Sequence, residues 1–79
     1  MILYLDTSAL VKLYVEEEGS EDVDTAVRNA SRVATSAVAY PEARATFARL
    51  ERDEYITPQE HRTAVGDLDA DWKLLQRWS

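Results

Sequence analysis

Met1-Ile2-Leu3-Tyr4-Leu5-Asp6 is a short, unbroken apolar run closed by a carboxylate. A run of this length without alternation suits a strand buried on both faces, as in a parallel sheet, and it sets Asp6 at the strand's C-terminal end. Thr7 or Ser8 is then placed to cap a helix whose apolar residues Leu10, Leu13 and Tyr14 fall at helical spacing, fading over Glu16-Glu17-Glu18-Gly19. The junction of this first strand and helix therefore gathers a carboxylate and two hydroxyls.

Working outward, Ser20-Glu21-Asp22 sets an N-cap and acids at the start of a second helix, expected from about Glu21 to Asn29. Arg32-Val33-Ala34-Thr35-Ser36 reads as a second short strand, with Ser36 suited to capping the next helix. That third helix is expected over Val38 to Asp53, with Ala39, Ala43, Phe47 and Leu50 on one stripe and Pro41 tolerable only in its first turn. Thr57-Pro58-Gln59-Glu60 combines an N-cap threonine, proline at the first helical position and glutamate at the third. It opens a fourth helix expected to reach about Arg77, on a stripe of Val65, Leu68, Trp72 and Leu75 widened by Leu74 and Trp78. Strands alternating with helices imply an α/β fold with a parallel sheet and right-handed crossovers, here about two strands and four helices within a single domain over residues 1–79. Two parallel strands leave both edges open, so the sheet is expected to continue beyond this sequence.

The 79 residues allow one small domain, and 46% hydrophobic with 30% charged residues is the balance of a soluble globular protein. No apolar run approaches the roughly 20 residues that span a bilayer, and no basic segment precedes Ile2-Leu3-Tyr4-Leu5 as in a secretory signal, so a cytoplasmic location without membrane contact is expected. The absence of cysteine excludes disulfides and thiolate zinc sites, and His61 alone cannot build a histidine metal cluster. Any metal must be held by oxygen. A net charge of -6, from 15 acidic against 9 basic residues, opposes unspecific attraction to a polyanion. A nucleic-acid enzyme of this charge needs a bridging cation or a local basic patch, to which Arg44, Arg49 and Arg52 are candidates.

Reactive groups of open α/β sheets gather beyond the carboxyl ends of the strands, where Asp6, Thr7, Ser8 and Ser36 are expected, with Glu42 one turn or so into the following helix. Two carboxylates without histidine or cysteine suit a hard cation such as magnesium or manganese, which can orient a water and neutralise a phosphate oxygen. The plainer reading is that Asp6 caps a helix and Glu42 answers a helix dipole. Asp67, Asp69 and Asp71 read as a solvated helix face, and His61 as a surface residue. Glu16, Glu17 and Glu18 form a solvated helix end near the expected mouth of the site, where they would repel or select substrates. Trp72 and Trp78 read as core or dimer contacts rather than base-stacking platforms.

Three blocks in order, Ile2-Leu3-Tyr4-Leu5-Asp6-Thr7-Ser8-Ala9-Leu10-Val11-Lys12-Leu13-Tyr14, then Glu18-Gly19-Ser20-Glu21, then Thr35-Ser36 with Tyr40-Pro41-Glu42-Ala43-Arg44-Ala45 and Ala48-Arg49, resemble the N-terminal half of a PIN-domain ribonuclease of the VapC toxin type. The resemblance implies a PIN-like three-layer fold with a parallel sheet, of which this sequence is expected to encode the N-terminal part. It implies a magnesium- or manganese-dependent endoribonuclease that hydrolyses RNA phosphodiesters through a metal-activated water. Asp6 is the expected metal ligand, Glu42 the second acid of the metal site, and Ser8, with Thr7 beside it, the hydroxyl that steadies the first carboxylate and its waters. It also implies a cognate antitoxin protein as partner and a homodimer. The family carries further aspartates in its C-terminal half, matched by no residue here, so the acidic site is expected to be half encoded. Two other readings remain: a catalytically incomplete PIN fragment serving dimerisation or antitoxin binding, and a phosphotransfer domain with Asp6 as nucleophile. The haloacid-dehalogenase-like pattern of the latter wants a second Asp where Ser8 stands.

Overall fold

The apolar run at the N-terminus and its partner near residue 34 form the strands their composition implies. The computed structural model describes residues 1–78, with side chains as far as Leu75. Strand β1 (Ile2–Leu5) leads into α1 (Thr7–Lys12) and α2 (Ser20–Asn29), followed by β2 (Arg32–Ser36), α3 (Ala39–Arg52), α4 (Pro58–Trp72) and β3 (Gln76–Trp78). β1 and β2 pair in parallel, with Ile2 opposite Arg32 and Leu5 opposite Thr35. The fold is α/β with four helices and a parallel sheet, in agreement with the expectation.

The sheet differs from expectation at its far edge. Helix α4 does not reach Arg77 but ends at Trp72, and after a turn closed by Leu74 N–H donating to Asp71 O at 2.8 Å the chain forms β3. β3 pairs in parallel with β2 from Ala34 opposite Gln76 to Ser36 opposite Trp78, giving the order β1-β2-β3. Backbone groups along the free edge of β2 require partners, and a third strand supplies them where a longer helix would not. Leu74, expected to widen the helical stripe, is 84% exposed in the turn, whereas the side-chain packing expected of Trp78 lies outside the described residues. β1 also alternates: Leu5 is buried and Leu3 partly so, while Ile2 and Tyr4 are each 55% exposed. It is an edge strand covered mainly on one face, not a central one covered on both.

The helix ends explain where the elements begin. Asp6, rather than Thr7 or Ser8, caps α1, its Oδ1 accepting from Ala9 N–H at 2.9 Å. Gly19, in the left-handed region at φ 91°, caps α2 without a side-chain bond. The buried Ser20 instead staples the preceding turn, accepting from Glu17 N–H at 2.9 Å and donating to Val15 O at 3.2 Å. Pro41 falls in the first turn of α3, as its missing N–H requires. The helix closes through Glu54 at φ 65°, with Tyr55 N–H donating to Leu50 O and Glu54 N–H to Glu51 O, the bond pair of a Schellman cap. The box opening α4 forms reciprocally: Thr57 Oγ1 accepts from Glu60 N–H at 3.0 Å, and Glu60 Oε1 from Thr57 N–H at 2.8 Å.

Leu5, Leu10, Val11, Phe47 and Leu68 meet in the core, with Ala39, Ala43 and Ala64 allowing close approach of α3 and α4. Among the described residues no helix is long and apolar enough to cross a membrane.

Candidate active site

The parallel register brings the C-terminal ends of β1 and β2 to one edge of the sheet. Thr35, fully buried on β2, donates its hydroxyl to Leu5 O at 2.8 Å and so ties down the last residue of β1. Asp6 follows, fixed by its own role as N-cap: its carbonyl accepts from Leu10 N–H at 2.9 Å and its side chain from Ala9 N–H. Glu42 stands exposed in the first turn of α3, where a carboxylate is favoured by the helix dipole. Between them, Thr7 Oγ1 donates to Glu42 Oε1 at 2.6 Å. The residue directly after Asp6 is thus bonded to the carboxylate that the sequence set far away, across the packing of α1 on α3.

Ser8 is exposed on α1, where its Oγ accepts from Lys12 Nζ at 3.1 Å rather than meeting either carboxylate. The hydroxyl that reaches a candidate carboxylate is therefore that of Thr7. The buried hydroxyl of Thr35 was given no role by the sequence. Its only advance signal is a polar residue at a position of β2 that is otherwise core.

The three arginines do not form one patch. Arg44 donates to Tyr40 Oη at 3.2 Å and lies 5.8 Å from that ring's centre, turned toward α4. Arg49, two helical turns beyond Glu42 on the same face of α3, lines a cleft of about 280 Å³ shared with Thr7, Ser8 and Lys12. Glu17 lines the same cleft. A larger apolar groove of about 530 Å³, lined by Leu13, Val27 and Leu75 among others, includes neither Asp6 nor Glu42. Size alone does not mark the chemistry here.

Asp69 and Asp71, expected to be merely solvated, anchor tyrosines: Tyr40 donates to Asp69, and Tyr14 donates to Asp71 Oδ2 at 2.9 Å. Burial of the Tyr14 phenol, reinforced by its bond to Asp71 and the negative charges of Asp71 and Asp67, raises its pKa well above the ordinary tyrosine range. Trp72 packs against Tyr40 with ring centres 5.3 Å apart and planes tilted by 48°, which suits the packing role expected of it. His61 is half-buried rather than a surface residue, its Nδ1 lying 2.8 Å from Glu51 Oε1 between α3 and α4. These contacts bind helices together and leave Asp6 and Glu42 as the carboxylates of the sheet edge.

The donor chemistry of that edge suits a hard divalent cation in kind. Asp6 and Glu42 each commit one carboxylate oxygen to a hydrogen bond and keep the other, and magnesium is commonly held by one or two carboxylates with water and substrate phosphate. In number the set is short: among the described residues no group of three or more histidine, cysteine, aspartate and glutamate side chains is arranged to hold a metal ion.

No protein-family model matches the chain. Among curated proteins it is similar to ribonuclease VapC45 of Mycobacterium tuberculosis (strain CDC 1551 / Oshkosh), 33% identical over 72 residues that make up 91% of this chain and 47% of the relative. Ribonuclease VapC49 of Mycobacterium tuberculosis (strain ATCC 25618 / H37Rv) matches with the same identity and coverage. The chain spans about half the length of the curated relatives it matches.

Proposed function

We infer that the chain is the N-terminal part of a PIN-like domain and contributes Asp6 and Glu42 to a divalent-metal-dependent endoribonuclease of the VapC toxin type. The observation that carries this reading is the Thr7–Glu42 hydrogen bond of 2.6 Å, which draws the first turn of α3 toward the strand end that bears Asp6. Similarity to two proteins named ribonucleases supports the same direction. Asp6 and Glu42 would hold magnesium or manganese. The cation, when bound, supplies neutralisation of a phosphodiester oxygen and a lowered pKa for a water. What this chain's residues do is hold that arrangement: Thr35 fixes the end of β1, the α1 cap orients Asp6, Thr7 orients Glu42, and Ser8 stands beside them on α1 as a further hydroxyl of the site. RNA as substrate, a cognate antitoxin and a homodimer belong to the same proposal through the family resemblance.

The shortness of the carboxylate set favours a second reading, a catalytically incomplete module that serves only dimerisation or antitoxin binding. Incubating the natural full-length product with single-stranded RNA in magnesium and in EDTA separates the two. The enzyme reading expects cleavage in magnesium alone. Intact RNA under both conditions, with a folded protein, removes it in favour of the module.

A further inference from the structure

Beside the Thr7–Glu42 contact, α1 and α3 enclose a cleft of about 280 Å³ whose lining is unlike the rest of this acidic molecule. Its walls carry two cations, Lys12 from α1 and Arg49 from α3, and the hydroxyl of Ser8; Thr7 and Thr46 also line it but donate their protons to Glu42, to Oε1 and to the backbone carbonyl, and Val11 forms a buried floor. Lys12 spends one of its three N–H donors on Ser8, which keeps its own proton free to donate. Arg49 makes no hydrogen bond or ion pair with another described residue, so its guanidinium fork is open to a ligand. Two cations and a hydroxyl with its proton free, converging on a small space, are the recognition chemistry of a phosphate oxygen.

We propose that this cleft seats a backbone phosphate of the RNA next to the one cut at the Asp6–Glu42 edge, with Lys12 and Arg49 as its phosphate contacts and Glu17 as a repulsive wall that limits the affinity. The proposal rests on the ribonuclease reading for its ligand, and on the cleft alone for its residues. It also answers the electrostatic problem set by a net charge of -6, because binding a polyanion then depends on a local site rather than on the field of the whole protein.

The test is fluorescence anisotropy of a short labelled single-stranded RNA with the natural full-length product in EDTA, over a series of salt concentrations. Arg49→Gln and Lys12→Met, the latter keeping the aliphatic stem that lies against Gly19, should each weaken binding about 5- to 10-fold at 50 mM salt and lower the salt slope by about 0.7. Glu17→Gln should tighten binding, which loss of a merely structural contact would not do, and Arg62→Gln on α4 should leave it unchanged. Wild-type affinity and slope in both cleft variants would overturn the proposal while leaving magnesium-dependent cleavage, and hence the ribonuclease reading, intact. Binding through the cleft by a protein that never cleaves RNA in magnesium would keep the cleft and remove the ribonuclease. Displacement of the RNA by poly-glutamate but not by inorganic phosphate would assign the cleft to an acidic protein partner and overturn the phosphate site.

Discussion

Asp6 serves two physical ends at once, as the cap of α1 and as the carboxylate offered at the sheet edge, and the two are separable by substitution. Asparagine caps a helix about as well as aspartate, so Asp6→Asn removes the charge and keeps the fold, whereas Asp6→Ala also forfeits about 1 kcal/mol of capping. Thr7 is the residue whose importance only geometry reveals. Among the described residues its hydroxyl is the one hydrogen-bond partner of the Glu42 side chain, at 2.6 Å, so Thr7→Val should release that carboxylate and lower metal-dependent RNA cleavage about 10- to 100-fold, with Thr7→Ser restoring most of it. Cleavage rates of the two variants under one magnesium concentration check this, and equal rates for Thr7→Val and the unaltered protein would deny Thr7 a positioning role. From the sequence, Asp6 after a strand and Glu42 in a helix's first turn were legible, because strand ends and helix starts have local signals. The choice of Thr7 over Ser8 as partner of Glu42 was not, since it depends on how α1 rotates against α3.

Helix α4 is held by more than its apolar stripe. Tyr14, in the turn after α1, donates to Asp71 near the end of α4, and its ring meets Phe47 edge-on with centres 6.4 Å apart. Because burial and the nearby carboxylates raise the pKa of Tyr14 in the fold, the neutral phenol contributes stability that is fully present below the ordinary tyrosine pKa of about 10 and is lost as pH rises through the folded-state value. Tyr14→Phe should cost about 1 kcal/mol at neutral pH and should flatten the loss of stability above about pH 10; urea melts across that range measure both. The end of α4 shows why the sequence misled. Leu75 continues the helical spacing of Val65, Leu68 and Trp72, and neither glycine nor proline stops the helix, so periodicity alone extends it into what is a turn and strand. The boundary is set by the free edge of β2, a contact distant in sequence. The opposite end of the same helix was legible because a capping box is local and reciprocal.

At the scale of the whole molecule, the core sets what a single substitution costs. The chain buries a small core, in which Phe47 is the largest fully buried side chain among the described residues. Phe47→Ala should cost about 3–5 kcal/mol; a cooperative urea transition with an unmoved midpoint would show that the core lies elsewhere. The same molecule is acidic overall, and its candidate site is an acidic edge beside a basic cleft, an arrangement that opposes polyanion binding except where it is local and cation-assisted. The most direct test is the rate of magnesium-dependent RNA cleavage by the natural full-length product carrying Asp6→Asn, read beside its thermal melt. The expected result is a fall of at least about 100-fold with the melting temperature unchanged. Cleavage at the unaltered rate by a correctly folded variant would contradict it.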